Sequence, residues 1–78
     1  MSNVSLEVFA QRFARAVLLV EVDPNARLAD LQEFDSMGRI AASTMIEDTF
    51  GFQISYDILQ GDQTLTQLYS YCLDNSVH

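Results

Sequence analysis

The stretch Phe34-Asp35-Ser36-Met37-Gly38-Arg39-Ile40 decides how this chain folds, because it predicts the start of a helix. Asp35 is a favourable N-cap, since its carboxylate can accept backbone N–H groups that have no partner inside the helix. Ser36 follows in the first turn, where the helix dipole favours a negatively charged group such as a phosphate. Gly51 predicts a left-handed stop at the other end, so the helix should span residues 36–50.

A first helix is predicted over residues 5–20, where apolar side chains recur at the spacing of one buried face. Three residues at its start can cap it, namely Ser2, Asn3 or Ser5. A strand over residues 17–22 is the alternative, but it would have no second strand to pair with. The connection over residues 21–35 is long, and Leu28 and Leu31 are expected to pin it to the core through a short helical turn.

The last part of the chain predicts two more helices. Residues 52–62 are expected to form a loop that runs into a short helix over Tyr56–Leu59. The last helix begins with a capping box formed by Thr64 and Gln67. Its apolar face consists of Leu65, Leu68, Tyr69, Cys72 and Leu73. The predicted fold is all-α, a small four-helix bundle with three main helices, one short third helix and a long first loop, and residues 1–78 form a single domain.

The second helix has more apolar positions than one buried face requires. One stripe, expected to face the core, consists of Ala42, Met45 or Ile46, and Phe50. A second stripe, roughly a quarter to a third of a turn away, consists of Met37, Ile40, Ala41 and Thr44. Two interpretations stay open, which are a wide core face and a contact surface for partner proteins beside Ser36.

The composition excludes several classes of function. Eleven acidic residues against four basic ones give a net charge of −7, which disfavours nucleic acid and anionic membranes and suits basic patches on partner proteins. No apolar run approaches the length of a membrane span, and no signal peptide is evident, so a cytoplasmic location is expected. A single cysteine leaves no internal disulfide and no zinc pattern, and no metal site is predicted.

The residues that catalysis needs are missing around Ser36. The one histidine, His78, is the last residue. Without a base beside it, Ser36 is not an activated nucleophile of the triad type. Cys72 is expected on the inner face of the last helix, as a structural residue rather than a reactive one. The chain is therefore predicted not to be an enzyme.

The helices and the motif together resemble the acyl carrier protein family over almost the whole chain. Asp35-Ser36-Met37 is similar to the family's Asp-Ser-Leu motif, with Met in place of Leu. Further matches at the family's spacing are Ile40, Ile46, Glu47, Asp48, Phe50, Ile54 and Tyr71 to Leu73. The resemblance implies that Ser36 carries a 4′-phosphopantetheine arm, which a phosphopantetheinyl transferase attaches from coenzyme A with the help of Mg²⁺. The arm would hold acyl groups as thioesters and deliver them to partner enzymes of fatty-acid or secondary-metabolite biosynthesis.

The resemblance also implies a surface for the transferase and for the enzymes that load and transfer the acyl or aminoacyl group. Its expected residues are Asp35, Met37, Arg39, Ile40, Thr44, Glu47 and Asp48. A monomer is expected. Two alternatives stay open, which are an aminoacyl (D-alanyl-type) carrier and an unmodified helical adaptor that binds a partner through the same helix. A docking subunit that has lost the modification is disfavoured by the intact Asp35-Ser36 pair.

Two departures from the family pattern favour a specialised carrier. Bulky Glu33-Phe34 replaces the small residues usual before the motif, and the acidic residues usual after it are replaced by Gly38 and Ala41. A glycine inside a helix costs about 1 kcal/mol relative to alanine. A glutamate in the first turn would also gain ~0.3–1 kcal/mol from the helix dipole. Gly38→Glu is therefore expected to be stabilising, which would leave Gly38 as a surface position shaped for a dedicated partner.

Overall fold

The computed structural model describes residues 4–19 and 21–76 and contains four α-helices. They are α1 (Leu6–Ala16), α2 (Ser36–Phe50), α3 (Tyr56–Gln60) and α4 (Leu65–Asn75), with a 3₁₀ turn at Leu28–Asp30 in the long loop between α1 and α2. α1 packs on α2 and α4, and α2 also packs on α3 and α4. Within these residues there is no strand, and the predicted all-α bundle with one short third helix is confirmed.

Each of the four helices begins with a side-chain oxygen that accepts a backbone N–H of the first turn. The capping residues are Ser5, Asp35, Ser55 and Thr64. Thr64 and Gln67 form the predicted capping box, with reciprocal hydrogen bonds of 3.2 and 2.9 Å. Gly51 ends α2 in the left-handed conformation, with φ of 78°, as predicted. Ser2 and Asn3, the other caps considered for the first helix, lie outside the described residues.

The first helix is shorter than predicted, because it ends at Ala16 and not at residue 20. Leu18 takes a left-handed conformation with φ of 65°. The N–H groups of Leu18 and Leu19 turn back to carbonyls of the last helical turn, in the pattern that glycine usually completes. The left-handed conformation is less stable by roughly 1–2 kcal/mol for a residue with a side chain. A leucine at position 18 therefore gives no signal in the sequence that the helix ends there. Val20, which was expected on the apolar face of this helix, lies outside the described residues.

The core lies where α1, α2 and α4 meet, and an aromatic cluster forms its centre. The Phe9 ring lies 5.7 Å from the Phe50 ring and 5.5 Å from the Tyr69 ring, measured between centroids. Ala42, Ile46 and Phe50, predicted as the inward stripe of α2, are at most 1% exposed. The helix period therefore identified the buried face of α2 correctly.

The long loop is fixed to the rest of the bundle by Leu28, as predicted. Its side chain is fully buried, and its N–H donates to the Gln63 carbonyl at 2.8 Å. Thr66 at the start of α4 makes two further hydrogen bonds, since both its N–H and its hydroxyl donate to the Pro24 carbonyl at 3.0 Å. The loop therefore reaches Asp35 along a fixed path.

Phe50→Ala should lower the free energy of unfolding by ~3–5 kcal/mol, because it leaves a cavity in the aromatic cluster. Such a loss approaches the whole stability of a chain of this length, so circular dichroism should detect a largely unfolded variant. Ile40→Ala is the control, since Ile40 lies on the same helix but is 58% exposed. A cooperative melt of Phe50→Ala close to that of the parent would contradict the packing.

Candidate functional site

The side chain of Ser36 lies exposed at the first position of α2. The Asp35 carboxylate caps the helix by accepting the Gly38 N–H at 2.9 Å. Other N–H groups of the first turn have no partner inside the helix, and they carry the positive end of its dipole. The local sequence therefore presents a primary hydroxyl at a position that favours an attached anion.

Phe34 fixes the direction from which the loop enters this site. Its side chain is only 3% exposed, its ring lies 5.4 Å from the Phe13 ring, and its N–H donates to the Leu31 carbonyl at 3.1 Å. The guanidinium carbon of Arg39 lies 5.6 Å from the Phe34 centroid, on the ring face. Phe34, which departs from the family pattern, is thus a core residue that holds Asp35 and Ser36 in place.

The expectation for Gly38 is wrong. Gly38 is buried, and a Cβ atom added there would lie 2.3 Å from the carbonyl oxygen of Glu33. A glutamate at this position would push the loop away from α2 instead of stabilising the helix. Gly38 is therefore required by the close approach of the loop backbone and gives no support for a surface shaped by a partner.

Arg39 lies half-buried on the side of α2 opposite to Met37, and its neighbours include Tyr56, the first residue of α3. The pKa of the Tyr56 phenol lies below its ordinary value of 10.0, chiefly because the Arg39 side chain hydrogen-bonds to it and also because Ser36 does. The Arg39 Nε atom is buried and has no hydrogen-bond partner within residues 4–19 and 21–76. Arg39, Tyr56 and Ser36 thus form a polar cluster at the start of α2.

The second apolar stripe of α2 is exposed over most of its length. Met37 is 79% exposed and Ile40 58%. The polar residues predicted to contact partners, Thr44, Glu47 and Asp48, are exposed too. Leu18, which is 91% exposed, lines a cleft of about 400 Å³ together with Met37, so an apolar side chain from the first loop adjoins this surface.

Cys72 is buried inside the bundle, as predicted. It is 0% exposed, and burial raises the pKa of its thiol from 9.0 to about 12. The thiol is therefore uncharged at neutral pH, and almost none of it is present as the reactive thiolate. His78 lies outside the described residues. In the described part of the chain, no group of three or more His, Cys, Asp or Glu side chains comes together as a metal site.

Tyr56 is the member of the site that sequence reasoning missed. The sequence predicts that Tyr56 begins the short helix, but it assigns no function to the tyrosine. Its nearness to Ser36 depends on how α3 packs on α2, and no sequence pattern reports that packing. An aromatic hydroxyl one residue after a helix cap was the one available signal, and it is a weak one.

The comparison with known proteins supplies one match that spans most of the chain. A family model described as a phosphopantetheine attachment site matches residues 7–72, a range that includes the long loop, α2, α3 and most of α1 and α4. Searches of the curated proteins and of the solved structures found no match. Of the helices that the structure describes, none is long and apolar enough to cross a membrane.

Gly38→Ala should destabilise the protein by ~1–3 kcal/mol, because the added methyl group overpacks the contact with the Glu33 carbonyl. The matched control is Gly61→Ala, since a Cβ atom there would lie 3.4 Å from its nearest neighbour, the Ile58 carbonyl oxygen. Thermal melts of the two variants and the parent measure the difference in stability. An unchanged or higher melting temperature for Gly38→Ala would contradict the close approach.

Cys72 should resist thiol reagents at pH 8 in the folded protein and react fully in urea. The physical reason is its burial together with its raised pKa. Because the unfolded thiol loses its proton first, Cys72 should also make stability fall as the pH rises above about 9. Spectrophotometric thiol titration checks the first expectation, with Cys72→Ala as the blank. Rapid labelling of the folded protein would show that Cys72 is accessible.

Proposed function

Since the chain belongs to the family of proteins with a phosphopantetheine attachment site, we propose that Ser36 is the attachment residue and that the protein is an acyl carrier. The group in this family is 4′-phosphopantetheine, bound covalently. The observation that supports Ser36 is its exposed hydroxyl at the first position of α2, directly after the Asp35 cap.

The residues around Ser36 fit this group. Its phosphate would lie at the N-terminal end of a 15-residue helix, where unpaired N–H groups favour an anion. Half-buried Arg39 adds a positive charge, and its Nε atom has no partner among the described residues. When bound, the group supplies a terminal thiol that holds a cargo as a thioester.

The part of this chain in the reaction is presentation of the hydroxyl. Asp35 is occupied as the cap of α2, and the one histidine of the chain is residue 78. Removal of the Ser36 proton is therefore assigned to the phosphopantetheinyl transferase, which also binds coenzyme A. On this proposal the chain is a carrier and not an enzyme.

The exposed stripe of α2 is proposed as the surface that partner enzymes contact. Met37 and Ile40 supply apolar contacts beside Ser36. The acidic side chain of Glu47 follows about 15 Å beyond Met37 along the helix axis, at a rise of about 1.5 Å per residue. Asp48 adds a second carboxylate next to it. In a chain with a net charge of −7, this stripe suits enzymes with an apolar contact near the arm and basic residues beyond it.

The aminoacyl carrier is the second candidate, and the cleft beside Met37 favours it. Glu33 and Asp35 are among the residues that line this cleft, and carboxylates favour a cargo that carries an ammonium group. Gly38 no longer bears on the choice, because packing explains it. Intact-mass measurement of the protein from its own host would identify the attached cargo and decide between the two candidates.

Incubation with coenzyme A and a broad-specificity transferase should add the mass of one phosphopantetheine group to the protein, and none to Ser36→Ala. Ser43→Ala is the matched control on the same helix, since its hydroxyl donates to the Ile40 carbonyl at 2.7 Å. The modified protein should also titrate one reactive thiol in the folded state, because Cys72 is buried. No modification of the parent with several transferases would support the unmodified adaptor, and modification of Ser36→Ala would show that another residue carries the group.

A further inference from the structure

Tyr56, which lies beside Arg39 and Ser36, has no part in the function proposed so far. Ser36 and Arg39 are three residues apart on α2, so their side chains are neighbours on the helix surface. Tyr56 comes from α3, which packs against α2. Two helices therefore bring a guanidinium and a phenol hydroxyl to the same serine.

Arg39 is held in place without a carboxylate partner. The one ion pair among the described residues joins Arg27 to Asp62 at 2.6 Å. Arg12 and Arg15 have no carboxylate partner in the described structure either, but they are exposed, whereas Arg39 is half-buried. The Phe34 ring supports one face of the guanidinium, at 5.6 Å from its centroid. The buried Nε atom of Arg39 remains an unused donor within the described part of the chain.

Tyr56 completes the cluster on the α3 side. Arg39 and Ser36 are the neighbours that lower the pKa of its phenol most, and Gln60 on its own helix lowers it less. The charged group that faces the phenol is Arg39 from α2, and this contact lowers the pKa of the phenol. Donors on two helices thus converge at the hydroxyl where the first atom of an attached group would be bonded.

We propose that Arg39 and Tyr56 hold the phosphate of the group attached to Ser36, an inference that rests on the proposed function. The guanidinium and the phenol hydroxyl would donate to the phosphodiester oxygens, together with N–H groups of the first turn of α2. Charge-assisted hydrogen bonds of this kind are stronger than neutral ones. Arg39 and Tyr56 are positioning residues in this proposal.

The pKa of Tyr56, read from ring carbon NMR signals in the unmodified and the modified protein, tests the proposal. Attachment of the group should raise this pKa by about one unit or more, since a phosphate accepts from the neutral phenol and weakens the effect of Arg39. In the unmodified protein, Arg39→Gln should raise the pKa of Tyr56 towards 10, because Arg39 is the main cause of its lowered value. The ring carbon signal that is lost in Tyr56→Phe is identified as that of Tyr56.

Phosphorus NMR of the modified protein supplies the second measurement. Arg39→Gln and Tyr56→Phe should each shift the phosphodiester resonance. Arg15→Gln, the control, removes the same charge from an exposed site on α1 and should leave the resonance unchanged. Tyr56→Phe keeps the ring and its packing, so the proposal stays testable if Arg39→Gln fails to fold.

The outcomes separate this proposal from the function on which it rests. A mass spectrum without phosphopantetheine on Ser36 would overturn both. A protein modified at Ser36 in which the pKa of Tyr56 is unchanged, and in which Tyr56→Phe leaves the phosphorus resonance in place, would overturn this proposal alone. In that case the cluster would serve only the packing of α3 on α2.

Discussion

The close approach of the Glu33 carbonyl to Gly38 is the constraint on which the site depends. It allows the end of the long loop to lie directly against the first turn of α2, because no Cβ atom stands between them. Phe34, buried against Phe13, then sets the direction of the chain. Asp35 follows in position to cap the helix. The orientation of Ser36 thus follows from the packing of the loop backbone at Glu33 against Gly38.

The remainder of the long loop is ordered by contacts with the segment between α3 and α4. The buried Leu28 side chain and its hydrogen bond to the Gln63 carbonyl do most of this, since burial of a leucine contributes about 1.5–3 kcal/mol. The ion pair between Arg27 and Asp62 joins two largely exposed side chains, and such pairs contribute little. The loop is therefore held by core packing and not by its surface charges.

The two sides of α2 carry opposite charges. On its exposed side, Glu47 and Asp48 continue the acidic surface of a chain with a net charge of −7. On the other side, Arg39 is half-buried against Phe34 and close to Tyr56. One helix can therefore expose acidic groups along its length and still keep a positive charge beside Ser36. Arg39, which the sequence suggested for partner contacts, is less exposed than the other residues of that set.

The sequence by itself determined the features that depend on neighbouring residues. Caps such as Asp35, the stop at Gly51 and the buried stripe of α2 follow from local hydrogen bonds and helix periodicity, so they could be predicted together with the position of Ser36. Only the tertiary structure decided why Gly38 is a glycine, where α1 ends, and that Tyr56 meets Arg39. Each of these depends on backbone conformation or on contacts between separate elements. Local patterns carry no information about such contacts, because their energy comes from the packing of the whole bundle.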